Sequence, residues 1–205
     1  MNRRSPSTRQ AKVCAWAHRY LHQNEAWAVL DTETTGLSSQ DEVIELALVD
    51  ASGMVLFSSL IQTQAPRQEE ELASHIHGIT PQMLAAAPTF PQVWPTIEAL
   101  LHSYQQILVY NAPFDSRLLK VTAQRYGSCL PPVSWSCLMD QYAIYHGAWH
   151  DYFQSYTWQK LEVACSRLGV QVDGDSHRAT ADALSTLGVL RALAARHVPQ
   201  EGGQE

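Results

Sequence analysis

Apolar residues recur along this chain in two rhythms. From Gln10 to Gln23 they are spaced so that Val13, Ala17, Tyr20 and Leu21 fall along one side of a helix. Ala26 to Leu30 is instead an unbroken apolar run ending at Asp31, as expected of a strand covered on both faces. Glu42 to Val49 and Met54 to Ile61 are again rich in Val, Ile, Leu and Phe, and Ala51-Ser52-Gly53 between them reads as a hairpin turn. The opening is therefore a helix and three strands in series, the last two antiparallel.

After Pro66 the helical rhythm returns, over Glu69 to His75, a short piece from Thr80-Pro81, and Pro91 to Tyr104. A fourth strand, Ile107 to Tyr110, leads into a helix from Phe114 to Tyr126. Pro131-Pro132 breaks the chain before a fifth strand, Val133 to Cys137. Helices are then predicted at Leu138 to Tyr145, Trp158 to Leu168 and Arg178 to Ala195. Strands in series followed by strands alternating with helices predict an α/β fold, one mixed sheet with helices on both faces. Residues 1–9 read as a mobile basic terminus, 10–197 as a single domain and 198–205 as a mobile tail.

Two acids close the first strand. Asp31 and Glu33 stand at i and i+2, so strand alternation sends both side chains to one face, and Thr34-Thr35-Gly36 turns the chain away, with Gly36 able to take a backbone conformation closed to other residues. Adjacent carboxylates repel unless a proton or cation lies between them, which points to a divalent, oxygen-seeking metal; a solvated strand end is the alternative. Asp115 opens the helix after the fourth strand, where an acid also answers the helix dipole. Neighbouring strands bring their ends together, so Asp115 can approach the first pair. His177 and Asp182 are five positions apart, about 140° on an ideal helix, so they share a site only if His177 lies on the entry loop, a placement that Gly174, Asp175 and Ser176 favour. Asp182 lies between Ala181 and Ala183 on an apolar helix and needs a partner.

Composition narrows the picture. A chain of 205 residues with 45% hydrophobic and 17% charged residues is globular, and its apolar runs are too short to span a membrane. The start lacks the apolar core of a secretory signal, so a cytoplasmic location is expected. Cys14, Cys129, Cys137 and Cys165 have no metal or redox spacing and read as reduced core residues. A net charge of -6 would argue against nucleic acid, yet Arg3, Arg4, Arg9, Lys12 and Arg19 fall in an opening stretch without an acid. Two divalent cations held by the motif acids would also offset much of the deficit.

Four segments occur in a telling order: Asp31-Thr32-Glu33-Thr34-Thr35-Gly36-Leu37, His77-Gly78-Ile79-Thr80, Asn111-Ala112-Pro113-Phe114-Asp115 and His177-Arg178-Ala179-Thr180-Ala181-Asp182-Ala183. Across residues 27–192 the chain resembles the DEDDh (DnaQ-like) 3′–5′ exonucleases, a group that includes replicase proofreading subunits, exonuclease X and ribonuclease T. The resemblance implies a ribonuclease H-like fold whose five-stranded mixed sheet has its second strand antiparallel. It implies that Asp31, Glu33, Asp115 and Asp182 bind two Mg2+ or Mn2+ ions, with His177 as general base. It points to Thr34, Thr35, Gly36, Leu37, His77, Ile79, Asn111 and Phe114 as substrate contacts. Leu37 and Ile79 either face a base or pack in the core. Trp149, Tyr152, Phe153, Tyr156 and Trp158 either stack on single-stranded bases or fill the core, the commoner fate of such clusters.

The implied activity is metal-dependent hydrolysis of DNA from a 3′ end, preferably single-stranded, releasing nucleoside 5′-monophosphates. The alternatives are an exoribonuclease and a 3′-end-binding accessory module of a polymerase. A homodimer and a polymerase or repair complex are the partners that the resemblance brings in beside nucleic acid; no membrane partner is expected.

Overall fold

The computed structural model describes residues 7–63, 70–171 and 177–197. The tail 198–205, most of the basic terminus and the loop residues Gly174, Asp175 and Ser176 lie outside the described residues.

A capping box starts the first helix earlier than the apolar spacing suggests. The Gln10 N–H donates to the Ser7 hydroxyl, and the Gln10 side chain accepts from the Ser7 N–H, so α1 runs Thr8–Leu21. Then come β1 (Trp27–Thr34), β2 (Val43–Asp50) and β3 (Val55–Leu60), followed by helices α2 (Glu70–His77), α3 (Pro81–Ala85) and α4 (Phe90–Ser103). β4 (Gln106–Val109) leads into α5 (Ala112–Arg125), and β5 (Ser134–Cys137) into α6 (Leu138–His146). A two-stranded ribbon, β6 (Trp149–His150) and β7 (Ser155–Tyr156), precedes α7 (Leu161–Leu168) and α8 (Ala179–Ala194).

The strands form one five-stranded sheet in the order β3-β2-β1-β4-β5. β2 is antiparallel to both its neighbours, while β4 is parallel to β1 and to β5. This is the mixed sheet with an antiparallel second strand that the motifs imply. The hairpin between β2 and β3 turns where expected: Asp50 accepts from the Ser52 and Met54 N–H groups, and Gly53 takes φ +96, which favours glycine.

Strand alternation divides the core into two layers. Val29, Val49 and Leu108 pack against α1, α6, α7 and α8, through residues such as Tyr20, Tyr142, Leu187 and Leu190. Ala28, Leu30, Leu46, Leu48, Ile107 and Val109 face the other way, onto Phe90, Trp94, Ile97 of α4 and Leu118 and Leu119 of α5.

Two elements differ from expectation. β1 continues through Asp31 and Glu33 to Thr34, because β2 pairs with it residue for residue as far as Glu33, so the acids are within the strand and not beyond it. The helix expected from Trp158 starts only at Leu161. Trp158 to Lys160 are kept out of it because the Thr157 N–H donates to the Ala148 carbonyl and the Tyr110 hydroxyl donates to the Gln159 carbonyl.

Leu108 is fully buried at the centre of the sheet. Leu108→Ala should cost about 2–5 kcal/mol, read as a lower midpoint in urea denaturation with little change in slope.

Candidate active site

Two parallel strands and the helices that follow them decide where the acids meet. β1 and β4 are parallel neighbours, so their C-terminal ends lie at the same sheet edge, and α5 starts directly from β4. Asp31 and Glu33, two apart on β1, project to one side there. α8 crosses the same edge and brings Asp182 from its first turn. One carboxylate oxygen of each of these three residues lies within 4.8 Å of the others. They line an open cleft of about 530 Å³ together with Asp115 and His177.

Asp115 is placed differently from the other three. Its carboxylate accepts from the Thr32 hydroxyl at 2.7 Å and from the Thr32 N–H at 3.2 Å. It is buried and pinned to β1 beside the trio, close enough to be among the charges acting on Asp31. His177 precedes the helix, with φ +64, and only Asp182 lies within α8, which resolves the five-residue spacing.

The crowding is visible in the acidities. Burial, then the charges of Asp115, Asp182, Glu33 and Glu45, push Asp31 well above the usual carboxylate range. Burial followed by Asp182, Glu45 and Asp115 lifts Glu33 to about 8. Asp115 rises to about 7 by burial, although its bonds from Thr32 oppose the shift. Asp182 is raised by burial too, while His177 pulls it back. Four oxygen donors that resist sharing negative charge suit a hard divalent cation, which would relieve the desolvation and the repulsion together.

Two residues that the sequence reading passed over hold this arrangement. Glu45 stands directly across from Glu33 in the β1–β2 register, a like-charge pair that would oppose folding if left alone. Arg178 grips it with a fork, Nε donating to both carboxylate oxygens and Nη2 adding a bond at 2.6 Å, and the Ala179 N–H donates to it at 3.0 Å. The start of α8 is thereby strapped to β2, with His177 on one side of the strap and Asp182 on the other. The signal in the sequence was a lone acid inside the apolar run Val43 to Val49. Glu162, on α7, approaches His177 Nε2 at 3.3 Å, and both residues line the cleft. Nothing in its own segment marked it.

The substrate-contact residues divide. Leu37, Asn111 and Phe114 line the cleft, and Leu37 is 79% exposed there. Ile79 packs in the core against Ile44 and Leu84, the second of its two expected fates. His77 is buried with it, its Nδ1 accepting from the Ile79 N–H. Thr34 and Thr35 are buried as well, and the Thr35 N–H and hydroxyl bond to Glu42 and Asp41 across the loop, not to the cleft. Gly36 is not in a left-handed conformation. It is required for another reason: a Cβ there would come within 2.8 Å of the Asp41 carboxylate. The expectation that the aromatics fill the core is overturned, since Trp149, Tyr152 and Phe153 of the β6–β7 ribbon and Trp158 just beyond it are exposed.

Comparisons with known proteins agree with this geometry. A family profile described as Exonuclease, of the RNase T type, matches residues 28–190. An uncharacterized exonuclease, CP81, of Escherichia phage 186 is 35% identical over 194 residues, covering 92% of this chain and 97% of that protein. A DNA polymerase III subunit epsilon of Treponema pallidum is 26% identical, covering 89% of this chain and 82% of its own length. Among solved structures, exonuclease X in complex with 5′ overhanging duplex DNA superposes with a TM-score of 0.62 at 24% identity, covering 82% of this chain and 91% of that one.

Glu33 offers a direct test of the crowding. A carboxylate raised in the folded state binds more protons there than when unfolded, so its contribution to stability falls as pH rises from about 4.5 toward 8. In chelator-treated protein, Glu33→Gln should therefore raise the melting temperature relative to the parent at pH 8 and do so less at pH 5. Added Mn2+ should stabilise the parent more at pH 8 than at pH 5, as thermal unfolding will show. Arg178→Ala leaves Glu45 buried without its fork and should cost about 2–4 kcal/mol in chemical denaturation.

Proposed function

The chain belongs to the DEDDh exonuclease family, enzymes that shorten nucleic acid from a 3′ end, and on that premise we propose that it hydrolyses DNA, preferably single-stranded at the 3′ end, to nucleoside 5′-monophosphates. The observation that carries this reading is the convergence of Asp31, Glu33 and Asp182 beside Asp115 in a cleft open to a polymer end. We assign these four as the residues that hold two divalent cations, Mg2+ or Mn2+. When bound, such a pair stabilises charge on both the attacking and the departing oxygen of an in-line phosphoryl displacement.

The remaining steps belong to the protein's own side chains. His177, the histidine on the cleft wall, takes the proton of the attacking water. With Nε2 facing Glu162, Nδ1 is the ring nitrogen left to accept it. Thr32 keeps Asp115 fixed while the other acids adjust. Leu37 and Phe114 offer apolar contact to the terminal base, and Lys160 supplies a cation on the cleft wall for a phosphate. Exposed Trp158 at the same rim supports an unpaired strand over a duplex end, because a stacked pair has no free base face to offer it. The four cysteines form no disulfide, which suits the cytoplasm as the setting. The likeness to a polymerase III epsilon subunit supports a replication or repair complex as partner.

Purified protein with Mn2+ should release mononucleotides from 5′-labelled single-stranded DNA, visible as a descending ladder. Asp31→Ala or Asp182→Ala should abolish release, and His177→Ala should slow it about 10²–10⁴-fold, with circular dichroism unchanged. Faster digestion of an RNA of the same sequence would transfer the assignment to an exoribonuclease. Binding of a 3′ end without any release would make the chain an accessory module, and an active Asp31→Ala protein would refute the site.

A further inference from the structure

The ten residues from Trp149 to Trp158 include five aromatic rings and no Leu, Ile, Val or Met. They fold as the β6–β7 ribbon and its exit, outside the main sheet. Tyr152 is 84% exposed, Phe153 67% and Trp158 66%, and Trp149 is half exposed. Rings of this size left in water forgo the burial of a large apolar area, and a lone two-stranded ribbon is marginal. The rings are nevertheless ordered among themselves. Trp149 meets Tyr156 edge-on at 5.1 Å between centroids, Tyr152 meets Phe153 edge-on at 5.0 Å, and the Arg9 guanidinium lies over Tyr156 at 5.1 Å. Phe153 also meets the His150 imidazole at 4.7 Å, while Tyr152, the most exposed of the rings, meets its partner edge-on.

The ribbon is continuous with the cleft. Two residues beyond β7, Trp158 lines the cleft that holds Asp31 and Asp182, and its indole N–H donates to the Asp140 carboxylate at 3.0 Å, which fixes the ring. Lys160 follows on the same wall.

We infer that the β6–β7 ribbon and Trp158 form a stacking platform for the unpaired bases of a DNA strand whose 3′ end occupies the cleft. This inference rests on the exonuclease reading above and adds the path of the strand beyond the scissile nucleotide. Every base carries a π-face, so a platform needs rings and nearby cations and no fitted pocket. The link to the cleft through Trp158 and the cations Arg9 and Lys160 beside the rings favour a nucleic-acid strand over a protein partner. A strand long enough to leave the cleft gains contacts that a very short one cannot reach.

The test uses the full chain carrying Asp31→Ala, so that binding is read apart from turnover. Fluorescence anisotropy with 5′-fluorescein dT20 should show about tenfold or greater loss of affinity on adding Tyr152→Ala and Phe153→Ala. The same pair should change the binding of labelled dT4 far less. Tyr152→Leu with Phe153→Leu keeps apolar area but removes the π-faces, and should lose as much as the alanine pair. Equal affinity of parent and variant for dT20 would overturn the platform even if mononucleotide release by the unmodified chain is secure. Retention of affinity by the leucine pair alone would also overturn it, because a greasy protein-docking patch would behave that way. Failure of the unmodified chain to release mononucleotides, with dT20 affinity still dependent on the rings, would instead sink the exonuclease reading and spare the platform.

Discussion

Mutual repulsion among buried carboxylates is the constraint around which this fold is arranged. Asp31, Glu33, Asp115 and Asp182 are gathered at one sheet edge, with Glu45 a strand away, and burial raises the pKa of all four cleft acids. Left to themselves such groups would drive the edge apart. The chain counters the repulsion at two points, the fork of Arg178 on Glu45 behind the acids and the paired bonds from Thr32 to Asp115 on the cleft wall. What remains is the trio Asp31, Glu33 and Asp182, only partly offset by His177 beside Asp182 and by Arg178 near Glu33, and that remainder is what a cation answers. The two core layers supply the stiffness that makes the arrangement affordable, since β1 is packed on both faces right up to the first acid.

Much of this was legible in the sequence, and the reasons are local. The apolar run ending at Asp31, the i, i+2 spacing of the acids and the helix entered at His177 each reflect a rule that acts within a few residues. The sheet followed from the alternation of strand and helix signals. The antiparallel pairing of β2 and β3 was legible in the hairpin turn and the five-stranded mixed sheet came from resemblance, but the order of the strands was not read, because pairing between distant segments is not written in any one of them.

The residues missed are those whose meaning is tertiary. Glu45 looked like one more strand acid until the register set it opposite Glu33. Glu162 gained a role only because α7 packs beside the entry to α8. Gly36 was noticed for its backbone freedom, yet the structure uses its lack of a side chain beside Asp41. The aromatic stretch misled for a related reason. Large rings signal burial on average, and nothing in the local sequence shows that these fall on a ribbon outside the main sheet that leaves them exposed.

His177 combines a left-handed backbone with an imidazole, and this has an evolutionary consequence. The conformation itself is met by glycine or asparagine at least as comfortably as by histidine. Drift at this codon can therefore retire the chemistry without dismantling the scaffold, leaving a descendant that grips strand ends and cuts them poorly. Lineages that trade a nuclease for a clamp have a short first step here, whereas losing one of the crowded acids removes a ligand from the proposed cation site itself.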